Sequence, residues 1–275
     1  MNELMAIKRV SSFEKLLIAY EKAGMLLNDA IDGGAASGSA TRQMLEHMGV
    51  ENKVYAFEPF PGNHRFFRPE EERIVLIPKA LAEQEKLMTF RVSSVVQEDS
   101  EWGKRGMAGY SSVGRLVAGS PAKGVDLEVE CVSGDKAIPL SANIGFIKLD
   151  LQGGELNALH GMARLLRDTH LMWVEYSGQP GLMDFLIESN YVIFDTEYFF
   201  MGSPTEKATA AFDISRENFV LSTGKMAWFG FKNRPWKSFE AEFIAYKKEL
   251  SMIQTDLVCV NRCYIDEFIA AIRYL

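Results

Sequence analysis

Three carboxylate residues stand where apolar runs of the sequence end. Asp32, Glu58 and Asp150 each follow a short stretch of β-branched, aromatic or aliphatic residues. Such stretches are typical of strands buried in a parallel sheet, and open α/β sheets bind ligands at the carboxyl ends of their strands. A carboxylate there can accept hydrogen bonds, attract a cation or remove a proton. These residues are therefore the first candidates for a binding or catalytic site.

Asp32 begins a glycine-rich turn, Asp32-Gly33-Gly34-Ala35-Ala36-Ser37-Gly38, between a predicted strand and a predicted helix. Glycines let the backbone approach a ligand, and the helix N-terminus presents free amide groups, although such a turn can also serve only close packing. Glu58 ends the next predicted strand, twenty residues after Gly38. A carboxylate at that point can accept hydrogen bonds from both hydroxyls of a ribose. Together the two features predict a site for a nucleoside-containing cofactor.

Two kinds of cofactor share this geometry. A nicotinamide dinucleotide must pass its pyrophosphate over the turn, where a glycine is usual at the position of Ala35 and the charge of Asp32 is unfavourable. S-adenosylmethionine has no phosphate, and its ammonium and sulfonium groups suit Asp32. The sequence favours S-adenosylmethionine, and binding of NAD is the alternative. The predicted cofactor-binding residues are Asp32, Gly33, Gly34, Ala35, Ser37, Gly38, Glu58, Pro59, Phe60, Ala80 and Asp150.

Three blocks of the sequence also carry a family resemblance. They are Asp32-Gly33-Gly34-Ala35, Phe57-Glu58-Pro59 and Ile147-Lys148-Leu149-Asp150-Leu151-Gln152-Gly153-Gly154-Glu155, in this order, and Leu159-His160-Gly161 and Trp173-Val174-Glu175-Tyr176 follow. The pattern resembles the FkbM-type methyltransferases from about position 29 to 198, with a final strand near position 257. Gln152 stands where the family usually has glutamate.

The resemblance implies a fold and an activity. The fold is Rossmann-like and α/β, with the doubly wound, mostly parallel sheet of class I methyltransferases. The activity is S-adenosylmethionine-dependent O-methylation of a hydroxyl on a sugar, a glycolipid or a polyketide-type natural product. A methyltransferase-like binding or assembly protein without turnover is the alternative function.

Methyl transfer to a hydroxyl requires alignment of the two substrates and a base for the hydroxyl proton. Asp150 can be this base, orient the acceptor, contact the methionine end of the cofactor, or only cap a helix that begins near Gly153. Lys148 lies on the same side of the strand and can pair with Asp150. Glu175 ends the next predicted strand and points to the same rim. Asp150, Glu175 and Lys148 are therefore catalytic candidates.

His160 is the fourth catalytic candidate, because a histidine titrates near neutral pH. It lies inside a predicted helix, so a packing or surface role is its alternative. Glu155 falls in the first turn of that helix, where its charge is favourable whatever its function. A hard cation held by Asp150 with Glu155 or Glu175 is a further alternative; no metal is expected.

The elements that position these residues alternate along the chain. Ser11 and Glu14 form a possible capping box for an amphipathic helix, after which predicted strands and helices follow each other as in βαβ units. Further strands are predicted at 74–77, 144–149, 171–175, 191–194 and 257–260, one helix carries Leu156 to Leu166, and two short strands at 90–92 and 127–132 are predicted to be antiparallel.

We interpret the chain as one methyltransferase domain. Residues 1–27 form an N-terminal helical extension, 28–200 the cofactor-binding core, 201–253 an insertion or cap, and 254–275 the last strand and a C-terminal helix. The insertion is rich in aromatic residues, among them Trp228 and Trp236. It is predicted to cover the acceptor side of the site or to form a homodimer contact.

Composition excludes several classes of protein. The 30 Lys and Arg residues of the 275 are scattered and the formal charge is −7, so nucleic acid is not an expected partner. No apolar run reaches the roughly 18 residues of a membrane span, and no secretory signal is visible. Three cysteines without a CxxC pair predict neither a disulfide framework nor a zinc knuckle. A cytoplasmic enzyme with a small-molecule or glycan acceptor is expected.

Overall fold

The computed structural model of the protein describes residues 11–25, 27–92, 95–100, 104, 109–111, 114–117, 125–195, 218–223, 226–231, 255–272 and 274. Two sheets are formed, a large one of nine strands and a small one of four. In chain order, the strands of the described residues are β1 (Asp29–Gly33), β2 (Val54–Phe57), β3 (Ile74–Ile77), β4 (Ala80–Leu81), β5 (Lys86–Val92), β6 (Gly114–Val117), β7 (Val125–Val132), β8 (Ile144–Leu149), β9 (Leu171–Tyr176), β10 (Tyr191–Asp195), β11 (Asn218–Thr223), β12 (Met226–Phe231) and β13 (Thr255–Asn261).

Helices connect most of the strands of the large sheet. The first begins where the sequence predicts it, because the Ser11 side chain accepts a hydrogen bond from the Glu14 amide. In chain order, the helices of the described residues are α1 (Ser12–Lys22), α2 (Ser39–Glu46), α3 (Pro61–His64), α4 (Gly134–Ala137), α5 (Glu155–His160), α6 (Ala163–Asp168), α7 (Leu182–Glu188) and α8 (Ile265–Ile272). No helix in this part of the chain is long and apolar enough to cross a bilayer.

The large sheet has the strand order β3-β2-β1-β8-β9-β13-β10-β12-β11. The five strands from β3 to β9 run parallel, whereas β13 lies antiparallel between β9 and β10. The prediction of a doubly wound, mostly parallel sheet is therefore confirmed. Because β13 runs in the opposite direction, its first residue, and not its last, lies at the edge of the sheet where the parallel strands end.

Both faces of the large sheet are covered by helices. Side chains of a strand alternate between the faces. Ile147 and Leu149 pack with α5, α6 and α7, whereas Phe146 and Trp173 pack with α1, α2 and α8. The same alternation places Lys148 and Asp150 on the face covered by α1 and α2. The N-termini of these two helices therefore lie beside the carboxyl end of β8.

One predicted helix is divided in the structure. The helix predicted across Leu156 to Leu166 is wrong as a single element, because α5 ends at His160 and α6 begins at Ala163. A side chain at Gly161 would collide with the Ala82 carbonyl oxygen, so the chain turns at this close contact. The Asp135 carboxylate accepts hydrogen bonds from the Arg164 and Leu165 amides and so caps α6 from outside the helix.

The connection between β3 and β8 contains the small sheet, whose strand order is β4-β7-β5-β6. The antiparallel pairing of β5 with β7 agrees with the sequence interpretation, and both strands are longer than predicted. β4 and β6 were not predicted. Phe90 and Val129 belong to a separate apolar cluster that is formed mostly by residues of this small sheet.

The segment 201–253 is described in part. β11 and β12 form an antiparallel hairpin that extends the large sheet beyond β10, so this part of the segment adds strands to the sheet. The other positions of the segment, including Trp236, lie outside the described residues. A role as a cap or as a dimer contact stays a prediction.

Candidate active site

A cavity of about 400 Å³ lies at the carboxyl ends of β1, β2 and β8. This volume is in the range of sites for small organic ligands and cofactors. Because β1 lies between β2 and β8, the lining residues form a middle part, a β2 side and a β8 side. The middle part contains Gly34, Ala35, Ala36, Ser37, Glu58 and Pro59.

The turn after β1 forms the floor of the middle part. The Gly34 and Ala35 amides donate to the Phe57 carbonyl oxygen, which ties the turn to β2. Gly34 has a φ of 79°, and a Cβ at this position would collide with the Asp150 carbonyl oxygen. A glycine is therefore required where the two loops meet.

Glu58 is held by two backbone amides of the cavity wall. Its Oε2 accepts from the Ala36 amide and its Oε1 from the Phe60 amide, both at 2.7 Å. The Asn63 side chain also donates to this carboxylate, and the acceptor capacity that remains faces a ligand. Burial raises the pKa of Glu58 to about 7, against the opposing effect of the Phe60 and Ala36 amides. The carboxylate is thus oriented for a pair of donors.

Asp32 lies beneath the cavity and not in its wall. Its side chain is fully buried, and its Oδ2 accepts from the Thr41 hydroxyl at 2.7 Å. Its Oδ1 accepts from Lys148 Nζ at 3.3 Å. Lys148 does line the cavity, so this lysine separates Asp32 from any ligand.

Asp150 presents a carboxylate on the β8 side of the cavity. Its side chain is 44% exposed, and its Oδ2 lies 3.8 Å from Lys148 Nζ. Its Oδ1 accepts from Gln152 Nε2 at 2.9 Å. Because β8 ends one residue earlier, the side chain lies at the rim where a parallel sheet places ligands.

Gln152 connects Asp150 with Glu175. Its Nε2 carries two hydrogens and lies 2.9 Å from Asp150 Oδ1 and 3.0 and 3.1 Å from the two Glu175 oxygens. Gln152 has a φ of 54°, a strained conformation for a residue with a side chain. Glu175 is buried and does not line the cavity. A neutral donor therefore joins the two carboxyl groups.

Glu155 has a structural position. Its Oε1 accepts from the Leu151 amide at 2.7 Å and its Oε2 from Gln179 Nε2 at 2.6 Å. The N-cap residue of α5 is Gly154, without a side-chain cap. Asp150 therefore does not cap this helix, so the functional interpretation of its carboxylate remains.

The burial of Glu175 gives a prediction on stability. Burial and the adjacent Asp150 carboxylate raise the pKa of Glu175 in the folded protein. A carboxyl group whose pKa is higher in the folded than in the unfolded state lowers stability as the pH rises above the unfolded value. We expect Glu175→Gln to melt several degrees above the wild type at about pH 8, and to gain less at about pH 5. Thermal unfolding measures this, with the exposed Glu72→Gln as control. A gain that does not grow with pH contradicts the prediction.

Several predicted site residues do not line the cavity. His160 is exposed at the end of α5, with its ring 4.7 Å from the ring of Phe185, so the structure does not bring this candidate base to the site. Gly33 and Gly38 belong to the turn after β1 but do not line the cavity. Glu175 and Asp32 lie behind Gln152 and Lys148.

Other lining residues were not assigned to the site from the sequence. On the β8 side they include Gln152, Trp173 and Asp256. Asp256 is the second residue of β13 and is paired with Glu175, because β13 is antiparallel. On the β2 side, beside the predicted Phe60 and Ala80, the wall is largely apolar and consists of Leu81, Phe90, Val92, Tyr110, Ser111, Gly114 and Leu116.

The β2 side is held in place by a buried asparagine. Asn63 Nδ2 donates to the Ser111 carbonyl oxygen at 2.8 Å, and the Ser111 amide donates to Asn63 Oδ1 at 3.2 Å. This double hydrogen bond fixes the segment with Tyr110 against the cavity. This largely apolar β2 side of the cavity, which we call the apolar slot, suits an aromatic group.

One group of described residues has the spacing of metal ligands. It consists of Glu14, Glu46 and His47, whose ligand atoms lie within 4.8 Å of one another. None of the three lines the cavity.

Comparison with known proteins supports a single family. The model of the methyltransferase FkbM domain matches residues 32–199, which include the turn after β1, Glu58 and the block around Asp150. No curated protein matches the chain.

Solved methyltransferases resemble the chain weakly. The precorrin-6y C5,15-methyltransferase of Geobacter metallireducens is 11% identical, with 92% of each chain covered and a TM-score of 0.38. A methyltransferase of Geobacter sulfurreducens is 10% identical, with 80% of this chain and 76% of that one covered and a TM-score of 0.31. The plantazolicin methyltransferase BpumL, solved in complex with a triazolic desmethylPZN analogue and S-adenosylhomocysteine, is 8% identical, with 92% of this chain and 86% of that one covered and a TM-score of 0.35.

Proposed function

Because the chain belongs to the family of methyltransferase FkbM domains, with S-adenosylmethionine as its cofactor, we propose that it methylates a hydroxyl group of a small-molecule or glycan acceptor. The observation that carries this proposal is the carboxylate of Asp150, which is partly exposed in the cavity wall at the end of β8. Such a group can take up the proton of an acceptor hydroxyl.

The cavity fits the chemical groups of the cofactor. The Glu58 carboxylate, which accepts from the Ala36 and Phe60 amides and from the Asn63 side chain, is the acceptor for the ribose hydroxyls. The apolar slot beside Phe60 and Phe90 suits the adenine ring, and the carboxylates of Asp150 and Asp256 on the β8 side suit positive charge. These three parts follow one another along the strand ends in the order in which the cofactor carries its groups.

The residues on the β8 side have separate roles in the proposed reaction. When bound, S-adenosylmethionine supplies a methyl group on a positively charged sulfur. Asp150 would accept the proton of the acceptor hydroxyl as the methyl group passes from the sulfur, whose bond to the methyl carbon breaks, to the acceptor oxygen. Gln152 holds the Asp150 carboxylate in place through its 2.9 Å hydrogen bond. Glu175, with its raised pKa, keeps a proton at neutral pH and adds no second negative charge.

Release of S-adenosylhomocysteine tests this function. The purified protein is incubated with S-adenosylmethionine and with sugars, glycolipids or polyketide-type acceptors, and the product is quantified by mass spectrometry. We expect release that depends on a hydroxylated acceptor, and a mass increase of one methyl group on that acceptor. Binding of the cofactor without release across the panel supports the alternative of a binding or assembly protein without turnover.

A further inference from the structure

Lys148 is the one basic residue among the described residues that line the cavity. It is the next-to-last residue of β8 and is paired with Asp32 of β1 on one side and Trp173 of β9 on the other. Its side chain is 13% exposed, on the β8 side of the site. A single cation thus stands in a wall whose other charged groups, Glu58, Asp150 and Asp256, are acidic.

Asp32 fixes the position of the Lys148 ammonium group from the side away from the cavity. Asp32 is fully buried and accepts from Thr41 Oγ1 at 2.7 Å, so its carboxylate cannot turn toward the cavity. Its other oxygen lies 3.3 Å from Lys148 Nζ. Asp150 approaches the same nitrogen from the rim, at 3.8 Å. The ammonium group is held between a buried and a partly exposed carboxylate.

The electrostatics keep this group charged. Burial alone would lower the pKa of Lys148, but the attraction of Asp32 and Asp150 outweighs it and holds this pKa above its usual range. A lysine that keeps its proton cannot remove one from an acceptor. Lys148 therefore does not serve as the base, although the sequence made it a catalytic candidate. What it offers a ligand is a positive charge with hydrogen-bond donors.

We propose that Lys148 binds the carboxylate of the methionine part of the cofactor. The inference rests on the proposed function. This carboxylate is the one anionic group of S-adenosylmethionine, and Lys148 is the one cation available to it among the described lining residues. The acidic Asp150 and Asp256 on the same side of the site attract the ammonium and sulfonium groups. Asp32, which the sequence assigned to those groups, instead fixes Lys148 from below.

A pair of probes isolates the carboxylate. S-adenosylhomocysteine carries it, and S-adenosyl-3-thiopropylamine is the same molecule without it. Calorimetric titration at neutral pH gives the preference of each protein variant for the first probe over the second. We expect the wild type to prefer S-adenosylhomocysteine by about tenfold or more, because a charge-assisted contact contributes about 1.5–3 kcal/mol.

Lys148→Met is expected to remove this preference by weakening S-adenosylhomocysteine binding alone. Lys79→Met is the matched control, because Lys79 pairs with Glu130 outside the cavity, and it should keep the wild-type preference. Removal of Lys148 leaves Asp32 buried without its cation, which can prevent folding. The double variant Asp32→Asn, Lys148→Met removes both charges and should show the same loss of preference.

The outcomes separate this inference from the proposed function. If the wild type binds neither probe, the proposed cofactor site is wrong. If it binds both probes equally, or if the folded Lys148 variants keep the preference or weaken both probes to the same extent, the assignment of Lys148 is overturned and the cofactor site stands.

Discussion

Asp150→Asn is expected to lose methyl transfer by at least about a hundredfold, because general-base catalysis contributes roughly that factor or more. The amide keeps the size of the side chain but cannot take up a proton. Affinity for S-adenosylhomocysteine should fall far less than turnover does, because the ribose and adenine contacts are on other residues. The measurement is turnover with an acceptor found by S-adenosylhomocysteine release, together with calorimetry.

The control for this variant is Asp168→Asn, an exposed residue at the end of α6. It removes one carboxylate without touching the cavity and should leave turnover unchanged. Turnover of Asp150→Asn within about threefold of the wild type would move the base elsewhere. Asp256, the other carboxylate that lines the β8 side of the cavity, would then be the next residue to test.

Glu58→Ala is expected to weaken S-adenosylhomocysteine binding by about tenfold to a hundredfold, because two charge-assisted hydrogen bonds to the ribose are lost. The effect should depend on pH. Burial raises the pKa of Glu58 to about 7, so the wild type loses its acceptor carboxylate as the pH falls from about 8 to about 6.

The affinity depends on pH because the carboxylate form of Glu58 is the form that binds the ribose. Wild-type affinity should fall toward acid pH, by up to about tenfold per pH unit well below the pKa. Glu58→Gln cannot titrate and should show weak but pH-independent binding. A wild type without pH dependence over this range, or a Gln variant with the same dependence, contradicts the role of Glu58.

The parallel part of the sheet was predictable because its strands are short runs of mostly apolar residues. Ile74–Ile77 is continuously apolar, Ile144–Leu149 is apolar apart from Gly145 and Lys148, and the structure gives both runs these bounds. The turn after β1 and Glu58 could be placed for the same reason, since each follows such a run. Local sequence therefore identified the strand ends that carry the middle part of the site.

Residues that reach the site through long-range pairing could not be predicted in this way. Asp256 lies at the rim because β13 runs antiparallel to β9. An apolar run in the sequence predicts a strand but not the direction in which that strand runs. Tyr110 lines the cavity because Asn63 binds the backbone of Ser111 across 48 positions of the chain. Hydrogen bonds of this kind depend on the fold and leave no periodic signal.

Two predicted residues have other roles because of where their side chains lie. Asp32 is at the carboxyl end of its strand, as expected, but its burial beneath Lys148 takes it out of reach of a ligand. His160 follows a motif of the resemblance, yet the turn at Gly161 leaves it on the surface beside Phe185. The spacing of residues in the sequence does not show how deeply a side chain is buried at a strand end. It also does not show which face of a short helix a residue occupies.

Calorimetry with S-adenosylhomocysteine and NAD tests the central claim, that the cavity is a site for S-adenosylmethionine, most directly. The account predicts saturable binding of S-adenosylhomocysteine to the wild type, clear weakening in Glu58→Ala, and no binding of NAD at the same concentrations. Binding of NAD in preference to S-adenosylhomocysteine, or binding of S-adenosylhomocysteine that is unchanged in Glu58→Ala, would contradict it.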